Sequence, residues 1–482
     1  MAAQPPISSS SSYMFDKEHE DADTPSIHSE SSHTDAKEVE RERQNLSLTE
    51  KLDIEAYPNE ANEPASKEGI VTRTSTKSSW KDPGPPPDGG VVGWTQAALG
   101  HLVIMNTWGF INSFGVFQTY YVTSLSRTPS DISWVGSIQV FLLFFIGTFT
   151  GRLTDAGYFR PVFLVGSFLA IFGLFMTSLS TSYWQLFLAQ GVCCGLGNGC
   201  LFCPSLSLLS TYFSKKRSLA LGIAAAGSAT GGMVFPAMVQ QLLPRIGFAW
   251  TMRSLGFIQL GCLLVCNIGI RPRIAPRKTG ALVDWKSFKE LPYVLFAAGM
   301  FFNFWGVYFA FYYIGSFARS IIDLPYTESI NLLIVLNGVG VLGRIIPNFL
   351  ADRFFGPMNS IIPVILISSA LCFCWIAVDS RGGLYAWAVV YGLMGAAIQS
   401  LFPATLSSLT QDPRMQGTRM GMVFSIVSFA VLTGPPIAGQ LIQRKGGSYT
   451  YAQIFAGVDL IIGCCFLLAA RYAKSPKLMV KL

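Results

Sequence analysis

Tyr212-Phe-Ser-Lys-Lys-Arg-Ser-Leu-Ala-Leu-Gly-Ile-Ala-Ala-Ala-Gly227 lies between two apolar runs, and its reading decides the architecture. Lys215, Lys216 and Arg217 are unfavourable within hydrocarbon and favourable on a cytosolic membrane face, so the segment reads as a hairpin between two membrane-spanning helices that turns in the cytosol. Gly222 and Gly227 then give the following helix a smooth face for close packing.

Working outward, composition points the same way. Half of the 482 residues are apolar and only 13% are charged, the balance of an integral membrane protein rather than of the soluble domains its length alone would suggest. The formal charge of +7 conceals two unlike regions. Residues 1–87 hold 17 of the 28 acidic and 9 of the 35 basic side chains, a net of −8, which leaves +15 for the remainder. That first region, polar and ending in Pro83-Gly-Pro-Pro-Pro87, has too few bulky apolar residues to bury a core; it is expected to be a disordered cytosolic tail. Its sequon, Asn45-Leu46-Ser47, would then escape glycosylation. It does not read as a cleavable signal peptide, so the first helix is expected to serve as the insertion signal.

Twelve apolar stretches follow, each near the roughly 20 residues that cross a bilayer. Their approximate spans are 91–118, 132–151, 161–180, 184–209, 217–241, 248–270, 292–316, 328–350, 359–378, 384–409, 419–441 and 454–472. An even number places both termini on one side. Basic residues concentrate in the even-numbered connections and the C-terminal tail, including Arg152, Arg160, Lys215, Lys216, Arg217, Arg353 and the Arg471–Lys481 cluster, so that side is expected to be cytosolic. The ten cysteines all fall in apolar stretches without metal-ligand spacing and are expected to pack as free thiols.

The halves repeat each other. Gly195-Leu-Gly-Asn-Gly-Cys-Leu-Phe-Cys-Pro204 in the fourth helix echoes Gly392-Leu-Met-Gly-Ala-Ala-Ile-Gln-Ser-Leu-Phe-Pro403 in the tenth, and Asp155 after the second matches Asp352 after the eighth. The expected fold is all-α and membrane-embedded, with two six-helix pseudo-repeats around a central path. The expected divisions are a tail to residue 87, a bundle at 88–270, a cytosolic connection at 271–291, a second bundle at 292–472 and a cytosolic tail at 473–482.

Gly151-Arg-Leu-Thr-Asp-Ala-Gly-Tyr-Phe-Arg160 resembles the loop between helices two and three of the major facilitator superfamily. Asp88-Gly-Gly-Val-Val-Gly-Trp94, entering helix one, and Tyr212–Gly227, entering helix five, resemble the two motifs of the monocarboxylate porter family within it; the long polar tail is similar to that of fungal members. On physical grounds Asp155 is suited to pair with Arg152 or Arg160 and to cap facing helix ends. With Gly151, Asp352 and Arg353 this forms a latch that is made in one conformation and broken in another. Gly89 and Gly90 permit a tight approach to the bilayer, and Trp94 suits its interface.

Ionisable groups within spans are functional candidates. Arg344 leads them, because positions 340 and 341 are Gly and Val and supply no acid one turn away; a guanidinium facing the path can hold a carboxylate by two parallel hydrogen bonds. The resemblance implies the same substrate contact for Gly343-Arg344. It also implies, for lactate carriers, an acid where this chain has Gly340 and a lysine where it has Asn112, so a bulkier organic acid or aromatic metabolite is expected instead. The aromatic seventh helix supports that expectation: Trp305, Tyr308 and Tyr312 are read as one face that, with Asn303 and Asn337, stacks a planar solute. His101 and Asp459 are the proton-coupling candidates.

The reading is a carrier, by symport or facilitation, of an organic acid or a larger carboxylate- or enolate-bearing metabolite, with efflux of a fungal secondary metabolite one option. The plasma membrane is the expected site, a vacuolar or other internal membrane the variant, and an accessory subunit is left open. The alternative is a nutrient sensor signalling through the tail. No phosphate-binding loop, metal cluster or triad is legible, since His19, His28 and His33 lie in the tail; enzyme activity, cofactors, metals and nucleic acid are therefore not expected.

Overall fold

The structure, a computed structural model, describes residues 84–127, 129–277, 279–477 and 480–481. The tail, except residues 84–87, lies outside the described residues, together with its Asn45 sequon and three histidines. Every regular element among the described residues is helical.

Among the described residues ten helices are long and apolar enough to span a bilayer, and two details raise the crossings to twelve. The helix Arg217–Gly269 has 53 residues, which at 1.5 Å each would make a rod of about 80 Å. Yet Gly227 near its start lies on His101, and Gly269 at its end lies on Leu99. The chain therefore doubles back, and it does so at Gly247, whose φ of 73° and ψ of 172° break the helix where a side chain would be strained. The first crossing is interrupted instead: Gly90–Ile104, a π-helical Met105–Gly109, Phe110–Asn112 and Phe114–Leu125 are each too short alone.

The spans are thus α1 (90–125), α2 (129–155), α3 (Phe159–Thr177), α4 (Tyr183–Ser210), α5 (217–246), α6 (248–269), α7 (Leu291–Ser320), α8 (Tyr326–Phe355), α9 (Pro357–Ala377), α10 (Arg381–Leu409), α11 (Gln416–Arg444) and α12 (Thr450–Lys474). Two differences from the sequence expectation have a common cause. The loop expected at 242–247 shrinks to Gly247, and α1, α7 and α8 run four or more residues beyond their apolar stretches. Polar residues at helix ends keep satisfying the backbone through helical hydrogen bonds after hydropathy has fallen.

The two six-helix pseudo-repeats use their Gly-rich sequences alike. In the first, Gly195 and Gly199 of α4 lie on Gln139, Leu142 and Ile146 of α2; in the second, Gly392 of α10 lies on Leu336 of α8. Small residues let these backbones approach, and packing replaces the hydrophobic drive that lipid cannot supply. Seen along the bundle, the connections after α2, α4, α6, α8 and α10 share one side, here termed the basic end. There the halves touch. At the far end they splay around a cavity.

Candidate functional site

The basic end is closed by two matching carboxylates. Asp155, at the end of α2, accepts from the Gly417 N–H at 3.0 Å and from the Thr418 N–H and Oγ1 at 2.7 and 2.6 Å, all in the first turn of α11. Asp352, near the end of α8, accepts from the Ser218 and Leu219 N–H groups at 3.0 and 2.7 Å, in the first turn of α5. Each carboxylate occupies N–H groups that have no partner within their own helix and sits at the positive end of its dipole. Gly151 of α2 meets Gly417 of α11 with no room for a Cβ on either, which brings Asp155 within reach.

The expected pairing of Asp155 with Arg152 or Arg160 does not occur. Arg152 donates to the carbonyls of Arg277 and Gly280 in the connection between the halves, and Arg160 donates to Asn267 O of α6. Arg353 lies over the ring of Phe354 at 5.4 Å. Helix-end amides win because they converge on the carboxylate already fixed in place, whereas a long cation must be ordered to reach it.

The two N-terminal motifs make one unit. Asp88 Oδ1 accepts from the Ser214 and Lys215 N–H groups, the latter at 2.7 Å, and the Asp88 N–H donates to Tyr212 O at 3.2 Å. Asp88, Gly89 and Gly90 form this hook with φ of 49°, 146° and 69°. Trp94 packs on Phe213 with centroids 5.1 Å apart, so its ring is turned onto the loop. Lys215 and Lys216 are exposed, while Arg217 donates to Phe213 O and, across the halves, to Ser407 O of α10. Gly227 seats α5 on α1, and Gly222 seats it on Arg344 and Asn348 of α8.

Between the halves a cavity of about 840 Å³ opens at the far end. Its wall takes Trp108 and Asn112 from α1, Ser137 from α2, Tyr308 and Tyr312 from α7, Asn337 from α8 and Gln440 from α11. Arg319 and Tyr326 stand on the same wall, the guanidinium 5.5 Å above the ring. Among the described residues lining it there is no carboxylate and no histidine.

The floor is an aromatic pair with one ring from each half. Trp108 and Tyr308 stack at 5.8 Å with 4° between their planes. Phe144 and Phe202 brace Trp108, and Phe304 braces Tyr308. Beneath them is a chamber of about 30 Å³, room for a water or two, lined by Ser228, Arg344, Gln399 and Phe402 among others. Arg344 is 1% exposed there; Nη1 donates to Gly340 O at 3.2 Å and Nη2 to Gln399 Oε1 at 3.0 Å, and Nε has no partner. The ion pairs among the described residues are Arg381–Glu328 and Arg419–Glu290, so this buried cation faces no acid. Gly340 leaves the space: a Cβ there would come to 2.7 Å from Nη1.

Other candidates lie elsewhere. Trp305 does not share the face of Tyr308 and Tyr312 towards the cavity. At its level α11 closes on α7 through Gly434, and the indole turns outward, its Nε1 donating to Thr433 Oγ1 at 3.1 Å and its ring edge-on to Phe455. Asn303 donates to Gly299 O and packs against Gly463 of α12. His101 Nδ1 is 2.9 Å from Ile223 O, between α1 and α5, away from the cavity wall. Asp459 is buried on α12, also off the wall, with Oδ2 unpartnered. Trp108 and Gln399 were not singled out from sequence; an amide inside a span, four residues before Pro403, was the available signal.

One further pair stabilises the basic end. Arg419 donates from Nη1 and Nη2 to Glu290 Oε1 and Oε2 at 2.8 and 2.7 Å, tying α11 to the start of α7. These bonds hold the Glu290 carboxyl below the usual carboxylate range.

Two six-helix halves, sealed at one end and enclosing a cavity at the other, define a polytopic membrane transporter. The chain belongs to the Major Facilitator Superfamily, whose sequence profile matches residues 98–412. An "MFS-type transporter" of Gibberella zeae is 54% identical over 392 residues, covering 81% of this chain and 89% of the relative. The aspyridones efflux protein apdF of Emericella nidulans is 36% identical over 390 residues, covering 80% of this chain and 79% of the relative. In fold, the human organic anion transporter MFSD10 is similar, with a TM-score of 0.64 at 13% identity over 78% of this chain and 99% of that one. The protein is an integral membrane transporter, not an enzyme.

Proposed function

We propose that the protein is an alternating-access carrier, of the monocarboxylate-porter type, that exports an organic anion of secondary-metabolite size. The observation that carries this reading is Arg344: a fully buried guanidinium without an acid partner, directly under the floor of an 840 Å³ cavity. A buried unpaired cation is unfavourable, and an anion delivered through the floor would relieve it. The cavity volume suits a solute far larger than lactate, and its aromatic wall suits a planar body. Gly340, standing where lactate carriers have an acid, leaves Arg344 free for the solute. The relative described as an aspyridones efflux protein favours export of a secondary metabolite.

In this reading the basic end is cytosolic, both termini are cytosolic, and the protein faces outward, in the plasma membrane. Asn112, Tyr308, Tyr312 and Asn337 contact the body of the solute, Arg344 its anionic group, and Asp155 with Asp352 latches the cytosolic end. His101 and Asp459 stand away from the cavity wall, and proton coupling through the wall is not part of the proposal. Counterflow of labelled carboxylates by the full chain in proteoliposomes tests it. Wild type should exchange a bulky aromatic carboxylate in preference to lactate, and Arg344→Ala should weaken that exchange at least about thirtyfold while keeping its melting temperature; equal exchange by the variant defeats the reading.

A further inference from the structure

At the basic end a second pocket, of about 330 Å³, lies where α5, α8, α10 and α12 meet. Four cations line it, Lys215 and Arg217 from the first half and Lys474 and Lys481 from the second. Among the described residues lining it the single acid is Asp352, whose carboxylate is already held by the Ser218 and Leu219 N–H groups and whose carbonyl accepts from Lys481. The Ser214, Ser218 and Ser408 side chains add hydroxyls. Beside it, where α8 ends, Phe354 and Phe355 are each 56% exposed, and Phe349 and Leu350 continue the outward apolar strip one turn deeper.

We propose that this pocket binds the phosphorylated headgroup of an anionic membrane lipid. Three oxygens on one phosphorus match the ammonium, guanidinium and hydroxyl donors of this wall, and although Asp88 acts on Arg217 and Glu290 on Lys474, the wall itself carries four cations against one engaged carboxylate. The apolar strip explains why the phosphate comes attached to acyl chains: they lie along α8 while the headgroup reaches inward. Basic pockets of this kind between helices bind anionic headgroups, and each cation near the membrane surface strengthens the attraction about fivefold. Because each half supplies two of the cations, the site exists only while the basic end is closed. An occupied pocket therefore favours the closed basic end, as any ligand favours the state that binds it. The site does not depend on the role of Arg344.

The test uses purified full-length protein titrated with dioleoyl phosphatidic acid, dioleoyl phosphatidylcholine and glycerol 3-phosphate, with binding read by native mass spectrometry. Phosphatidic acid should bind, phosphatidylcholine should not, and glycerol 3-phosphate should bind at least tenfold more weakly than the lipid. The double change Lys474→Gln with Lys481→Gln should weaken the lipid about thirtyfold, which is the loss of two such cations. Ser408→Asp, placing a carboxylate in the pocket, should do the same, and Lys445→Gln at the far end should change nothing. Phosphatidic acid should also slow alkylation of Cys203, which is buried where α2 meets α11. Equal binding of phosphatidylcholine, or undiminished binding by both pocket variants, overturns the site. Glycerol 3-phosphate binding as tightly as the lipid overturns the lipid source, and unchanged Cys203 alkylation overturns the link to closure.

Discussion

The two ends of the bundle hold their halves in opposite ways. At the basic end, contact rests on directional bonds: Asp155 on the first turn of α11, Asp352 on the first turn of α5, and Arg217 on Ser407 O. Deeper in, Thr148 and Ser425 still bond across α2 and α11; at the cavity floor the halves meet through stacked rings, Trp108 on Tyr308, and beyond them the cavity separates the walls. Directional bonds to helix ends are either made or lost, which suits a latch with two states. Ring contacts slide with little loss, which suits a partition that a solute must displace. The largest predicted effect lies beneath that partition. Arg344→Ala removes the cation from its chamber, and truncating one member of a buried charge pair typically costs about 2–5 kcal/mol. Solute affinity measured by counterflow should fall at least about thirtyfold, with the latch unaffected.

Breaking the latch should come next. Asp155→Asn keeps the shape but leaves one acceptor oxygen, so its NH2 faces an amide N–H that it cannot accept from and the remaining bond is neutral, a loss of about 1–3 kcal/mol in favour of opening. Cys203 reports it: the thiol is fully buried, with Sγ 3.9 Å from Gly417 O. Its alkylation, located by peptide mass spectrometry, should accelerate about tenfold or more in Asp155→Asn. The repeat predicts a comparable effect for Asp352→Asn, and acceleration in only one of the two would show that the halves do not share the load.

How much of this was legible in sequence differs between the same two regions. Topology was, because hydropathy and basic turns act locally; Tyr212–Gly227 alone implied a helix pair and its turn. The matched aspartates were visible as a repeat and helix-end capping was expected of Asp155, but which helix ends they reach was not visible, since the donating surface consists of backbone N–H groups, which every residue carries. For the same reason the hook from Asp88 to Ser214 and Lys215 was hidden, although both motifs were recognised separately. Arg344 stood out because a charge inside a span is rare. Trp108 did not, because one more aromatic ring in an apolar run carries no signal until its partner across the halves is placed. Trp305 shows the converse error: helical spacing put it with Tyr308 and Tyr312, but the approach of α11 at Gly434 decided which way it faces.

The partition itself offers a sharper and smaller test. A stacked pair is worth about 0.5–1.5 kcal/mol beyond its buried area. Trp108→Ala should therefore open the Arg344 chamber by a few-fold to about tenfold, read as the rate at which phenylglyoxal modifies Arg344 from the cavity side. Tyr308→Phe keeps the ring and should leave that rate unchanged. If both variants behave like wild type, the chamber is reached by another route.

The smallest effect separates a directional bond at the basic end from one at the far end. In the Arg419–Glu290 pair the side chains are 7% and 51% exposed and two bonds are made, whereas in the Arg381–Glu328 pair they are 65% and 23% exposed and one contact of 3.1 Å is made. Ion pairs open to solvent are worth about 0–1 kcal/mol, and the more exposed member of such a comparison lies near zero. Glu290→Gln should lower the melting temperature by up to about 2–4 °C at neutral pH, and Glu328→Gln should leave it unchanged. The sign with pH follows from Glu290 lying below its usual range when folded: its contribution is complete above the unfolded value of about 4.3 and is lost as pH falls through the folded value. Wild type and Glu290→Gln should therefore converge in acid and separate towards neutrality, and a constant gap across that range would assign the stabilisation to packing of Arg419 on Tyr293 instead.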